Sequence, residues 1–310
     1  MRKYRIIAVV LCVFLLAGCA NSADSSGTAE NNGETTAMSI VIPPPAPKAS
    51  SSRPTCSVTT TVTLADENIK IDGAGVNASG TTLTVTEDGV YKISCTLSDG
   101  QIIINAPDNA VVELVLSGVN ISSSKNSAIY CKNCDDFIIT LTENTQNALS
   151  DAKSYTYDNT AEQEPNAALF SKTDMNIGGS GWLIVNANFN HGISSKDDLV
   201  IEGGGYTVTA AVDAIRGKDS LVILDGKFEL NAGGDGLQAS SMGCAELGYA
   251  QLVDAEYTIK SGGDTVDSNG NIYVTGSTLR LSSPPYPDYE GSLSCNGDVT
   301  ISRGNMAAFN

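Results

Sequence analysis

From Asn166 onward, apolar and polar positions return in the same order about every 22 residues. In the coil that starts at His191, Ile193 falls on a first short strand, Leu199 and Ile201 on a second, and Tyr206 and Val208 on a third. One period later the same slots hold Ile215, Leu221, Ile223, Phe228 and Leu230; one period earlier the alignment gives Leu169, Met175, Ile177, Trp182 and Ile184. Val266, Ile272 and Val274 continue the columns, followed by Leu293, Val299 and Ile301. Alternation within each strand sends one set of side chains into a shared interior. Gly178-Gly179, Gly203 to Gly205, Gly226 and Gly276 mark the corners between strands. A fixed period of this size, with three strands per coil, predicts an all-β solenoid: a parallel β-helix, right-handed as parallel connections are. A propeller repeats at about twice this length, and a sandwich does not repeat in register. The same alignment puts Trp182, Tyr206 and Phe228 at one interior slot, where they stack inside the solenoid.

Earlier coils are more diverged. Val58 to Leu64, Thr82 to Thr86, Val90 to Thr96, Gln101 to Asn105, Val111 to Leu116, Ser127 to Cys131 and Phe137 to Leu141 read as strands, and the first of them form an atypical N-terminal cap. Three insertions break the rhythm: Ser150 to Pro165, Ser240 to Gly248 and Pro284 to Glu290. The first and third share a phase, so they leave one edge of the solenoid about five coils apart, roughly 24 Å. They carry Tyr155, Tyr157, Tyr286 and Tyr289, which are placed to stack on sugar rings along a groove.

The ends are different material. Arg2, Lys3 and Arg5 precede an apolar run from Ile6 to Ala17, the pattern of a signal peptide too short to be an ordinary membrane span. The run closes on Leu16-Ala17-Gly18-Cys19, which looks like a bacterial lipobox. In that reading residues 1–18 are removed, Cys19 carries a lipid, and residues 19–54, rich in Ser, Thr, Asn, Gly and Pro, form a disordered tether. The β-helix occupies residues 55–310. The expectation is an exported protein, held by a lipid on the extracytoplasmic side of a membrane and displayed at the cell surface.

Composition narrows the partners. The formal net charge is −17, which disfavours nucleic acid and anionic lipid as ligands of the body. Excess carboxylate is also what Ca²⁺ sites require. Besides Cys12 and Cys19 there are Cys56, Cys95, Cys131, Cys134, Cys244 and Cys295. Cys131-Lys132-Asn133-Cys134 has CxxC spacing without a second such pair or a following helix, so it reads as a local disulfide or as two packed thiols at a corner.

The residue that opens each first strand is His191, then Asp213, Asp235 and Asp264. Stacking sets successive members about 4.8 Å apart, and carboxylates at that spacing repel unless something neutralises them. Ca²⁺ bridging oxygens is the simplest remedy. Asp267 follows Asp264 by three residues and takes the slot of Arg216; Asp197 stands over Asp219, and Asp174 shares the phase of Asp198. Asp213, Asp235, Asp264, Asp267, Asp197 and Asp219 are therefore the candidate Ca²⁺ ligands. The competing reading has these aspartates capping Gly-rich turns or pairing with lysines. Lys172, Lys196 and Lys218 form a second column beside them, suited to salt bridges or to gripping a sugar chain. His191 is the one histidine, so a Ser-His-Asp triad or a His-based zinc site has too few partners, and it reads as a ladder member.

The phrases GISSKDDLVIEGG, DAIRGKDSLVILDGKFELNAGGDGL and NGDVTISRG, with DNAVVELVLSGVNISSSKNSAIYCKNCDDFIITLTENTQNALSD before them, resemble a family of bacterial surface carbohydrate-binding proteins. The resemblance covers roughly Val58 to Arg303. It implies a right-handed parallel β-helix related in fold to pectate lyases, calcium binding with Asp213, Asp235 and Asp264 at the repeated acidic position, and a cellulose-like or pectic polysaccharide as ligand. The expected function is calcium-dependent polysaccharide binding at the cell surface. Two alternatives stay open. A polysaccharide lyase would use Ca²⁺ to acidify a uronate C–H and Lys218, Arg216 or Lys196 as the base. A structural or adhesive surface protein would use calcium only to stiffen the solenoid.

Overall fold

The structure, a computed structural model, describes residues 57–157, 161, 163–242, 247–283, 293–295, 299–302 and 305–308. Cys19, the signal and tether segments, Tyr286 and Tyr289 lie outside the described residues. The described body is all β, a parallel solenoid of about eight turns. Its first strands stack into one ten-stranded sheet. The second and third strands of the coils stack into two further layers. The long strand Val111–Ser122 belongs to both: it pairs with Asp136–Leu141 at one end and with Gln146–Ser150 at the other.

Register follows the repeat. Ile102, Ile129, Leu169, Ile193, Ile215, Leu237 and Val266 stand in one column of the first sheet, and each is fully buried. The second layer stacks Phe137, Met175, Leu199, Leu221, Ala250 and Ile272 beside Ile139, Ile177, Ile201, Ile223, Leu252 and Val274. One strand residue in two thus points inward, these columns are apolar, and the interior fills as a continuous core.

The third layer departs from the alignment at one residue. Leu183, not Trp182, pairs with Tyr206, and Val185, not Ile184, pairs with Val208. The corner between Ile177 and Leu183 holds one residue more than the corner between Ile201 and Tyr206. A one-residue slip on a strand turns every side chain to the opposite face. Trp182 and Ile184 therefore point outward, and the interior stack is Tyr206, Phe228 and Tyr257. Its rings lie 4.8 Å apart at 2° and 5.0 Å apart at 14°. The Tyr206 hydroxyl donates to the carbonyl of Gly203 at 2.8 Å, which satisfies its one polar group.

The N-terminal end is closed as the sequence suggests. Lys70–Asp72 runs antiparallel to Thr60–Leu64, and Val76–Ser79 antiparallel to Thr82–Val85; all other pairings among the described strands are parallel. Cys131 and Cys134 are buried with their sulfurs 3.3 Å apart, two packed thiols at a corner. Cys131 is held below the ordinary thiol range by its contact with Cys134, while Cys134 is pushed up by that contact and by burial.

Candidate functional site

On the outer face of the first sheet, the column Thr84, Ile103, Tyr130, Phe170, Ser194, Arg216, Gln238 and Asp267 runs along the axis, one residue per rung. The insertion after Ser150 folds back beside this face. At its N-terminal side lies an open groove of about 470 Å³, lined by Gln101, Asn105, Tyr130, Lys132, Tyr157 and Lys172 among others. It mixes amide, ammonium and aromatic groups and carries few apolar side chains.

Two acids fix the insertion. Asp151 is buried and accepts from the Tyr155 hydroxyl at 2.5 Å and from the Asn188 backbone N–H at 2.5 Å. Burial raises the Asp151 carboxyl, and these hydrogen bonds hold it back. The Tyr155 ring stacks on Phe189 at 4.4 Å, so this tyrosine braces the insertion, while Tyr157 lines the groove. Glu164 pairs with Lys172 at 3.0 Å and with Lys196 at 2.5 Å. Burial opposes the Glu164 charge, yet the two lysines hold its carboxyl below the usual range. Two of the three column lysines are thus engaged by the insertion; Lys218 faces its neighbour Asp219 at 3.9 Å.

The entry column begins two rungs beyond Tyr130, about 10 Å along the axis, and stands in the expected register: His191, Asp213, Asp235, Asp264. Its carboxylates are held by the chain itself. Asp213 Oδ1 accepts the backbone N–H of Asp235 at 3.0 Å, and Asp235 Oδ1 accepts that of Asp264 at 2.9 Å. Arg216 Nη1 lies 3.0 Å from His191 Nε2, which makes that nitrogen the acceptor; Nδ1 then donates to Asp213 Oδ2 at 3.0 Å. The rest of the guanidinium donates to Ser240 Oγ. Gln238 Nε2 donates to both Asp235 Oδ2 at 2.8 Å and Asp267 Oδ2 at 3.2 Å. Asp213 is buried, yet His191, the Asp235 N–H and Arg216 hold its carboxyl below the usual range. Asp235 is pushed up to about 6, by burial first and then by the charges of Asp213, Asp267 and Asp264. Burial also raises Asp267.

A second acidic group sits at the other end of the first strands, where the chain turns into the second layer. Carboxylate oxygens of Asp174, Asp197 and Asp198 lie within 4.8 Å of one another. Asp174 and Asp198 are stacked partners one rung apart, and Asp174 Oδ1 accepts the Asp198 N–H at 3.1 Å. Asp197 is pushed up to about 6, chiefly by burial and then by the charges of Asp174, Asp219 and Asp198. An all-oxygen set of this spacing suits a hard divalent cation. Both clusters have donors of their own: Asp213, Asp235 and Asp267 accept from backbone N–H, His191 and Gln238, and Asp198 Oδ1 accepts from the Ser220 hydroxyl at 2.6 Å. The candidate ligands thus divide into two clusters, and Asp174 and Asp198, known from the sequence only by their phase, join Asp197 in the tighter one.

The family described as carbohydrate-binding domain-containing protein matches residues 79–308. The chain belongs to that family. A carbohydrate-binding domain-containing protein of Acetivibrio thermocellus is 40% identical over 136 residues, 44% of this chain. The match spans about half the length of that curated relative, 48%. Among solved structures, the polysaccharide lyase-like protein from C. thermocellum, studied as a gadolinium derivative, superposes with a TM-score of 0.77 at 30% identity, covering 81% of this chain and 100% of that one. The pectate-lyase-like β-helix and the carbohydrate-binding family are both established by these matches.

Proposed function

We propose that this chain is a non-catalytic, calcium-dependent polysaccharide binder, exported and displayed outside the cytoplasmic membrane on a lipid carried by Cys19. The observation that carries the reading is the groove on the first sheet. It is open, polar and braced, with Tyr157 and Tyr130 beside Lys132, Gln101 and Asn105, the mixture that grips both the faces and the hydroxyls of sugar rings. The open edge of such a groove suits an extended chain, cellulose-like or pectic.

Calcium is assigned to Asp174, Asp197 and Asp198, with Asp219 adjoining. A bound divalent ion there neutralises charges that burial and mutual repulsion otherwise oppose. Asp213, Asp235, Asp264 and Asp267 are the second candidate set, at the entry end of the first strands.

The neighbour's description as polysaccharide lyase-like favours one alternative, a lyase acting on uronates. Its candidate bases are Arg216, Lys196 and Lys218. All three already face other groups: Arg216 bonds His191 and Ser240, Lys196 bonds Glu164, and Lys218 faces Asp219. Those engagements favour binding over catalysis.

Retention of the protein on insoluble cellulose and on polygalacturonate, in Ca²⁺ and in EDTA, tests the reading. Retention lost in EDTA and weakened by Tyr157→Ala supports it. Equal retention with and without chelator removes the metal from the role, and steady production of unsaturated uronate from polygalacturonate replaces binding by the lyase.

A further inference from the structure

The one-residue slip in the third layer leaves a large aromatic side chain where a solenoid ordinarily shows polar groups. Trp182 stands in the outward column Gln146, Trp182, Gly205, Lys227. Its indole does not project into solvent. It reaches along the axis and covers the next rung at Gly205. A Cβ placed on Gly205 would lie 1.9 Å from Cε3, 2.3 Å from Cζ3 and 2.5 Å from Cδ2. The latter two atoms are both bonded to Cε3 and are scarcely farther off, as they are when a ring lies flat above a point. An edge-on ring would carry them well away. The flat pose is fixed at the far end, where Nε1–H donates to Thr207 Oγ1 at 3.2 Å. Gly205 thus makes the space, and Thr207 sets the tilt.

We propose that Trp182 is a sugar-stacking platform on the third layer, on a different sheet from the groove, and that it takes a pyranose ring by its C–H face. Several observations converge on this occupant. Trp182 is partly exposed, and its ring is held over Gly205 at one face and by Thr207 at its Nε1 end, so little side-chain freedom is lost when a ligand covers it. Its polar atom is already satisfied, so a flat apolar surface is what it offers. Hydrogen-bonding groups flank that surface, with exposed Gln146 one rung before it and exposed Lys227 on the rung after Gly205. The adjoining columns continue as a polar track through Thr207, Glu229 and Thr258, lining a shallow hollow of about 250 Å³. A pyranose whose ring hydroxyls are all equatorial presents an uninterrupted C–H face to the indole and its hydroxyl rim to these side chains. A gluco-configured, β-linked chain fits; a ring with axial hydroxyls interrupts the stacking face. The proposal shares with the functional reading only the premise that the chain binds polysaccharide.

Trp182 is the only tryptophan, so tryptophan emission reports this site directly. The full chain is titrated with a β-1,4-glucose hexamer and, separately, with an α-1,4-galacturonate hexamer. The expected result is a saturable change in emission with the glucose hexamer, and calorimetric affinity for it at least fivefold weaker in Trp182→Ala and partly restored in Trp182→Phe. Gly205→Ala keeps the tryptophan but displaces the ring, and is expected to weaken glucan binding as well; thermal melts confirm that each variant is folded. Glucan bound equally by wild type and Trp182→Ala, with emission unmoved, overturns the platform while leaving the groove in place. An emission response to the galacturonate hexamer alone overturns the choice of sugar. No binding of either hexamer, with emission silent, also overturns it, and polymer retention then decides separately whether the groove reading survives.

Discussion

Asp213 Oδ1 accepts the backbone N–H of Asp235, one coil further along the axis, at 3.0 Å. The carboxylate therefore works as a cap on the next rung, and its other oxygen orients His191 at 3.0 Å. Removing it strands a buried N–H and leaves the His191–Arg216 pair without its acid. Asp213→Ala is expected to cost about 2–3 kcal/mol, and Asp213→Asn, which keeps an acceptor, roughly 1 kcal/mol. Urea denaturation of the two variants checks the order; equal losses would mean that the charge, not the cap, is what matters.

The raised acids set a direction for pH. Asp235 and Asp197 are both pushed up to about 6, above the unfolded value near 3.8. Such groups contribute stability that is fully present below the unfolded pKa and lost as pH rises through the folded one. Asp213 and Glu164 are shifted the other way; their contribution is present at neutral pH and lost as pH falls into the acid range. In EDTA the melting temperature is expected to climb as pH drops from about 7.5 to about 5, then fall below about 4. Scanning calorimetry across that window reads it, and a flat profile between neutral pH and about 5 counts against the two raised carboxyls.

The fold was legible because successive coils repeat one inward apolar spacing, with KDDLVI and KDSLVI the plainest copies, and Ile193, Ile215 and Leu237 stack as that spacing requires. The register of His191, Asp213, Asp235 and Asp264 was legible for the same reason. Their partners were not: whether a carboxylate meets a metal, an N–H or an amide depends on the tilt of each rung, which a period does not encode. Trp182 was misplaced because one extra corner residue shifts a strand by half its repeat. The groove draws residues from Thr84 to Lys172 across several coils and a non-repeating insertion, so no local pattern announced it. Asp174, Asp197 and Asp198 meet only where the first strands turn into the second layer.

Calcium removal gives a separate test of that corner. A ligand that binds only the folded state stabilises it by mass action, about 2.7 kcal/mol at a concentration 100-fold above Kd. Millimolar Ca²⁺ is expected to raise the melting temperature by several degrees and to flatten the pH profile. In Asp197→Asn combined with Asp198→Asn the calcium increment is expected to vanish, while the metal-free protein becomes no less stable, because repulsion is relieved. An increment that survives this double substitution and disappears in Asp235→Asn would move the ion to the cluster around Asp235.

The groove depends on its wall, and the wall depends on Asp151. That carboxylate is buried, ties Tyr155 and Asn188 to the root of the insertion, and holds them through side-chain and backbone donors at once. Asp151→Ala leaves the Asn188 N–H without its acceptor and frees the ring that stacks on Phe189. The expected result is faster proteolysis within the insertion, polysaccharide retention down several-fold, and a global loss of about 1–3 kcal/mol. Asp151→Asn behaves differently on physical grounds. Burial disfavours the charge at this site, the amide oxygen can still take the Asn188 N–H, and a tyrosine hydroxyl can accept from the amide as readily as it donates to a carboxylate. Retention close to wild type in Asp151→Asn, beside its loss in Asp151→Ala, identifies the brace as a hydrogen-bonding device. Full retention in both would mean that the polymer does not use the wall this acid supports.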